Sequence, residues 1–232
     1  MYRILVLEDE IDFAEIMSIY LKKHDYSYEL VHNLSDAKKV FDNNTFDLVL
    51  TDLMLPDGSG SDFCKYIRET STIPIIVISC LDDDTTIVNN FSFGADDYIT
   101  KPLQPAQFIA RIEANIRRTK IYSSNLNIQN DSDIVEFCNM TFDKKHKKIT
   151  LENEDTVELS PIEFTLLCVF LENQDTLILY EHLYKQVWDK DSLGDYRTIM
   201  VHVSNLKKKI DPLNKGIITN VRGAGYLFTC ID

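Results

Sequence analysis

Asp47-Leu-Val-Leu-Thr-Asp-Leu-Met-Leu-Pro-Asp-Gly-Ser-Gly60 sets a short apolar run directly before an aspartate and a turn-forming Pro-Asp-Gly. Such a run, bounded by turn residues, suits a strand buried on both faces of a parallel sheet. Leu48–Leu50 is the third of five such runs; the others are Ile4–Leu7, Tyr28–Val31, Ile75–Ile78 and the short Tyr98-Ile99. Helical periodicities alternate with them. Phe13, Ile16, Met17, Tyr20 and Leu21 share one spacing, and Phe108, Ile109, Ile112 and Ile116 another. Ser35 is expected to cap a helix over Asp36–Phe41. Five such units within residues 1–120 predict one doubly wound α/β domain with a five-stranded parallel sheet.

In open α/β sheets, functional side chains gather at the carboxyl ends of the strands. Glu8 and Asp9 follow the first strand, Asp52 the third, Ser79 ends the fourth, and Lys101 lies just beyond the fifth. Three carboxylates at one spot repel one another, and a hard cation such as Mg²⁺ relieves that through oxygen ligands. One carboxylate can then attack a phosphoryl group, while a hydroxyl and an ammonium hold the shifting oxygen charge. Single members of this set read equally well as turn or helix-start residues; their joint occurrence at four strand ends does not.

The stretch from Tyr122 to Asp133 is polar and turn-rich, so residues 121–135 read as a linker. Residues 136–232 then carry strand-like pieces around Met140–Phe142, Lys148–Leu151 and Thr156–Leu159. Ser160-Pro-Ile-Glu163 combines a capping box with proline at the first helical position. Further helices are expected at Tyr180–Val187 and Arg197–Ile210, and a hairpin around Gly223–Gly225, giving an α+β domain. The chain carries 24 Lys and Arg against 37 Asp and Glu, a net charge of −13. That balance disfavours nucleic acid only on average, because residues 195–225 carry six Lys and Arg against two Asp. On a helical wheel Ile199, Val203, Leu206 and Ile210 form a core-facing stripe. Arg197, Val201, Ser204, Asn205 and Lys208 lie opposite, with His202, Lys207 and Lys209 on the flanks. A helix of that kind fits a major groove of double-stranded DNA, where Val201 could meet a thymine methyl. There is neither an apolar run of membrane-spanning length nor a signal-peptide pattern, so a cytoplasmic protein without a membrane partner is expected. The five cysteines (Cys64, Cys80, Cys138, Cys168 and Cys230) are scattered and read mostly as reduced, buried thiols.

Two sets of motifs extend this reading. Ile4-Leu-Val-Leu-Glu-Asp-Glu10, the 47–60 stretch and Gly94-Ala-Asp-Asp-Tyr-Ile-Thr-Lys-Pro102 resemble receiver domains of two-component systems. The resemblance implies phosphorylation of Asp52 by a histidine kinase, with Mg²⁺ held by Glu8, Asp9, Asp52 and the Met54 carbonyl. Ser79 and Tyr98 match the switch positions and Lys101 the phosphate-binding lysine. Leu159-Ser-Pro-Ile-Glu-Phe-Thr-Leu-Leu167, Gln186-Val-Trp188, the 197–210 helix and Asn220-Val-Arg-Gly-Ala-Gly-Tyr226 resemble the winged helix-turn-helix of OmpR/PhoB-type regulators. That implies a recognition helix at 197–210 contacting DNA through Arg197, Val201, His202, Ser204, Asn205, Lys207 and Lys208. It also implies a wing placing Arg222 near the minor groove or its phosphates, and a 188–195 loop that touches RNA polymerase. The family's activated homodimer, which binds two half-sites, implies interface positions Ile87, Phe91, Asp96, Asp97, Arg111 and Arg118, with Asp96 pairing Arg111 and Asp97 pairing Arg118. Departures include Met200 where Asp is usual, Asn205 where a basic residue is common, and Cys80 in place of a small residue. Cys80 reads as a buried, space-filling thiol or as a gate on the phosphoryl site. The expectation is a transcription regulator and not an enzyme: a haloacid-dehalogenase-like phosphohydrolase would need a second Asp at the position of Met54. A phosphorylation-independent constitutive dimer is the alternative.

Overall fold

The computed structural model describes residues 1–80, 93–124, 134–188, 196–213 and 215–230. The chain divides into two compact units, Met1–Thr119 and Lys120–Asp232. The first holds β1 (Arg3–Leu7), α1 (Ile11–Lys23), β2 (Ser27–Val31), α2 (Leu34–Asn43), β3 (Leu48–Asp52), the short strands β4 (Met54–Leu55) and β5 (Gly58–Ser59), α3 (Gly60–Arg68), β6 (Ile75–Ser79) and β7 (Asp97–Thr100). Helix α4 (Pro105–Ser124) follows. The main sheet runs β2-β1-β3-β6-β7 with every pair parallel. Strands β3 and β6 are buried at every residue, as unbroken apolar runs require. Met17 and Leu21 of α1 and Ile112 and Ile116 of α4 pack with Ile4, Val6, Leu50 and Ile78 into one core. Each such side chain stabilises the fold by roughly 1.5–3 kcal/mol. The chain steps from β1 to one side and then back to β3 on the other, which opens a crevice at their carboxyl ends.

The second unit begins with an antiparallel sheet ordered β11-β10-β9-β8, made from β8 (Ile134–Phe137), β9 (Met140–Asp143), β10 (Lys148–Thr150) and β11 (Thr156–Glu158). Helices α5 (Pro161–Glu172), α6 (Tyr180–Trp188) and α7 (Arg197–Ile210) follow, with a β12-β14-β13 sheet of Leu177–Leu179, Gly225–Phe228 and Ile218–Val221. Phe142, Leu167, Phe170, Ile199, Leu206 and Phe228 share its core. The capping box at α5 forms as its sequence predicts: Glu163 N donates to Ser160 Oγ at 3.4 Å and Ser160 N to Glu163 Oε2 at 2.8 Å.

Four sequence expectations are corrected. Helix α2 starts at Leu34 and is capped by Asn33, not Ser35, because Asp57 accepts hydrogen bonds from the Leu34 and Ser35 amides at 2.8 and 2.9 Å and so fixes the first turn earlier. Helix α4 continues through Ser124, into the expected linker, since no Gly or Pro interrupts 117–124. Strand β8 starts at Ile134, also within that linker, paired with β9. Cys138 and Cys230, expected as free thiols, form a disulfide.

Candidate functional site

The β1 and β3 ends bring the predicted carboxylates together. Ligand oxygens of Glu8, Asp9 and Asp52 all lie within 4.8 Å of one another. Lys101, at the end of β7, reaches into this cluster. Its Nζ donates to Asp52 Oδ2 at 2.7 Å and to Glu8 Oε1 at 3.0 Å, and lies 3.9 Å from Glu10 Oε2. Its stem passes over the Phe13 ring, with Nζ 4.1 Å from the centroid. Burial alone would lower the Lys101 pKa; the bonds to Asp52 and Glu8 outweigh it and hold the ammonium above its ordinary value. Glu8 is pushed up to about 7, first by burial and then by the Asp52 charge, against the pull of Lys101. Its second oxygen, Oε2, is buried with no hydrogen-bond partner. A buried orphan oxygen costs ~1–3 kcal/mol or more, and a hard cation is the partner such an oxygen suits. The residues present therefore fit a Mg²⁺ ion.

The rest of the pocket is positioned by sheet register. Asp52 Oδ1 accepts from the Met54 amide at 3.1 Å, and Thr51 Oγ1 donates to the Asp52 carbonyl at 2.9 Å. Asp52 lies opposite Ile78, and Ser79 opposite Thr100, so Ser79 ends its strand one place beyond the Asp52 rung. Ser79 and Tyr98 are buried, whereas Met54 and Asp9 face solvent. Cys80, expected as a buried space-filler, is exposed.

In the second unit α7 presents its core stripe as expected, with Ile199, Val203, Leu206 and Ile210 all buried. Met200, Ser204 and Lys208 form the exposed line, and Asn205 and Lys207 are half-buried beside it. Arg222 is exposed in the turn between β13 and β14, where Gly223 takes a φ of +78° and the Ala224 amide bonds the Val221 carbonyl at 2.9 Å. Lys207 and Lys208 of the helix and Arg222 of the hairpin thus lie on one small domain.

Comparison with known proteins agrees. The family model "Response regulator receiver domain" matches residues 4–113, and "Transcriptional regulatory protein, C terminal" matches 153–228. The uncharacterized transcriptional regulatory protein YclJ of Bacillus subtilis (strain 168) is 36% identical over 97% of this chain and 98% of its own. The response regulator DrrB, a Thermotoga maritima OmpR/PhoB homolog, is similar with 26% identity and a TM-score of 0.51 over 98% or more of both chains. A RitR mutant is similar with 25% identity and a TM-score of 0.78 over 98% of this chain and 99% of its own.

The chain belongs to the OmpR/PhoB-type response regulators. As one of these two-component, DNA-binding transcription regulators, it requires several corrections to the predicted contacts. In this regulator Val201 and His202 are 5% and 2% exposed, and the His202 ring packs 5.9 Å from Trp188. Trp188 of α6 thus covers α7 on a second side at His202. Met200, noted in the sequence only as a departure from the family's Asp, is 42% exposed and lies in line with Ser204 and Lys208. Lys209 turns away to Glu163 Oε2 at 2.7 Å and the Glu158 carbonyl at 2.9 Å.

Within the protomer the expected interface residues also have partners. Asp96 is 1% exposed; its carboxylate pairs with Arg68 and accepts the Ile75 amide at 2.8 Å, which removes it from an outer surface. Arg111 bonds Asp97 within the protomer, and Arg118 Nη1 donates to Asn115 Oδ1 at 3.0 Å. Asn115 in turn bonds Asp97 at 3.2 Å, so Asp97 and Arg118 are linked through it. Ile87, Phe91 and the 189–195 loop lie outside the described residues, as does the side chain of Arg197. Among the described residues no helix is long and apolar enough to cross a membrane.

Proposed function

We propose that this regulator is switched by phosphorylation of Asp52 by a partner histidine kinase. The observation that carries the reading is the carboxylate of Asp52 at the end of the fully buried central strand β3, tied to Lys101 and converging with Glu8 and Asp9. Asp52 is the nucleophile, and the burial of β3 holds it in place. Lys101 steadies the Asp52 oxygen before attack, and its ammonium is placed to take up negative charge afterwards. Glu8, Asp9, Asp52 and the Met54 carbonyl would hold Mg²⁺, which when bound would supply positive charge to the carboxylate cluster and to an incoming phosphoryl group. Ser79 and Tyr98, on adjacent strands, are the side chains through which the modified site reaches the rest of the domain.

The output is binding of double-stranded DNA, with α7 at the major groove through Ser204, Asn205, Lys207 and Lys208, and Arg222 of the hairpin at the backbone. Activation produces a homodimer that reads two half-sites and contacts RNA polymerase in the cytoplasm. Incubation with phosphoramidate and Mg²⁺, followed by intact-mass measurement, tests the switch. One phosphoryl mass should appear on the wild type and none on Asp52→Asn. Full modification of Asp52→Asn refutes the assignment; an unmodified wild type that still dimerises and binds DNA points to the constitutive-dimer alternative.

A further inference from the structure

Cys138 and Cys230 are joined across 92 residues, with Cα atoms 4.9 Å apart. Cys138 stands in the turn between β8 and β9, where Phe137 pairs directly with Met140. Both turn residues, Cys138 and Asn139, are left-handed, with φ of 45° and 59°. A two-residue turn of this type favours Asn, Asp or Gly at both places. Cysteine in the left-handed region costs backbone energy, and a strained residue of this kind points to a use for its side chain. Cys230 lies just past β14, beyond the Thr229 amide that bonds the Ile217 carbonyl at 3.0 Å. Both cysteines are half-buried, and Cys138 also borders a cavity of about 500 Å³ with Met140, Leu151, Ile210 and Ile217, an approach for small solutes to Cys138.

The other cysteines differ. Burial pushes the thiols of Cys64 and Cys168 up to about 12, and Cys80 is exposed in the other unit. A protein that works on intracellular DNA sits where thiols are kept reduced, and disulfides there are usually transient and redox-sensing. We propose that Cys138 and Cys230 form a reversible oxidation site that couples the persistence of the folded DNA-binding unit to peroxide-class oxidants. The compartment argument rests on the DNA-binding reading above; the chemistry does not. The thiolate of one cysteine attacks an oxygen of hydrogen peroxide; the S–O bond forms, the O–O bond breaks, and the hydroxide released takes up the proton the thiol lost and leaves as water, with a sulfenic acid remaining. The second thiol attacks that sulfur; the S–S bond forms, the S–O bond breaks, and a second water leaves. Two thiols lose two electrons and the peroxide gains them. Two molecules of a cellular thiol of the glutathione class reverse the change and leave as their own disulfide. Strand β14 pairs with β13 in the hairpin carrying Arg222, so the bond ties the base of the DNA-facing hairpin to the first sheet of the unit.

The test uses the full chain, fully reduced and then treated with stoichiometric hydrogen peroxide. After free thiols are blocked, peptide mapping should find 138 linked to 230, and reduced glutathione at cellular concentration should release the link while the protein stays folded. Closing a loop of this size favours folding on the order of a thousandfold. The urea midpoint of the C-terminal unit should therefore rise on oxidation. Cys138→Ser and Cys230→Ser should each match the reduced wild type, with or without peroxide. Failure of the folded protein to form the link overturns the proposal, as does a link that glutathione cannot open. Because these readouts need no DNA, a chain that cycles between the two states yet binds no DNA refutes the functional reading and leaves the oxidation site standing.

Discussion

Gly60 opens α3 directly behind the phosphoacceptor, and replacing it with alanine should disable the first unit at its centre. A Cβ built on Gly60 would lie 2.0 Å from the Asp52 carbonyl oxygen and 2.9 Å from Thr51 Oγ1. Real Cβ contacts are at least about 3 Å, so the Asp52 backbone must retreat by roughly 1 Å. The hydrogen bond from Thr51 Oγ1 to that carbonyl, 2.9 Å long, is lost with it. Overpacking costs ~1–3 kcal/mol and the lost bond ~1 kcal/mol, so Gly60→Ala should destabilise the receiver unit by roughly 2–4 kcal/mol. A reacting atom misplaced by about 1 Å costs about 10²-fold in rate, so phosphorylation of any protein that remains folded should slow by that factor. Gly58 supplies the control. A Cβ there meets only the Leu34 Cδ2 methyl, at 2.6 Å, the far end of a side chain that can swing aside. Gly58→Ala should cost under about 1 kcal/mol and leave the rate within severalfold of wild type. Trp188 is the one tryptophan and lies in the second unit, so its fluorescence reports that unit while circular dichroism follows both. Urea curves should show only the receiver transition moving. A Gly60→Ala protein that is as stable as wild type and phosphorylated as fast would refute the steric argument, as would a more damaging Gly58→Ala.

With the disulfide intact, a chromogenic disulfide reagent should modify Cys80 rapidly, Cys168 slowly, and Cys64 only on unfolding. Fast reaction of Cys64 would contradict its burial and its thiol pKa of about 12. His202→Ala should destabilise the second unit by about 2–3 kcal/mol and perturb Trp188 fluorescence, because it removes a buried ring beside that indole. A variant that loses DNA affinity at full stability would instead return His202 to the DNA surface. Lys208→Ala and Arg222→Ala should each lower the log–log salt slope of DNA binding by roughly one unit. Lys209→Ala, whose ammonium is held by Glu163, should leave the slope unchanged and cost about 0.5–1 kcal/mol of stability, a modest figure for a partly exposed pair.

What could be read from the sequence follows physical lines. The strands of the first unit were legible because runs such as Leu48–Leu50 are buried on both faces and stay apolar throughout. Once the strands are placed, the carboxylate cluster follows, since Glu8, Asp9, Asp52 and Lys101 are defined by their offsets from strand ends. Side-chain partners were not legible in the same way. Nothing near Asp96 in sequence indicates that Arg68, 28 residues earlier, pairs with its carboxylate. Helix α7 misled for a related reason. A wheel assumes one buried stripe, whereas Trp188 of α6 covers a second side and draws His202 inward. Strand β8 was hidden because Ile134 and Glu136 are exposed and Val135 is half-buried, leaving only Phe137 to signal a core. The bond between Cys138 and Cys230 joins the first hairpin of a domain to its last strand, a proximity only the complete fold creates.

Lys207 and Lys208 of α7 and the Arg222 turn belong to a chain whose net charge is −13. At physiological ionic strength charges are felt over about 8 Å, so beyond that distance a DNA duplex and this protein nearly ignore each other. At lower salt the long-range interaction is repulsive, and only a molecule arriving basic face first gains attraction at close range. Association is thereby sorted by orientation before any base is read. Raising salt from a low value should first quicken encounter, by silencing the repulsion, and only then weaken the complex. A uniformly basic DNA-binding protein slows from the start. The expected result is slower scanning of arbitrary DNA and fewer misoriented complexes on a chromosome that offers non-specific sites everywhere.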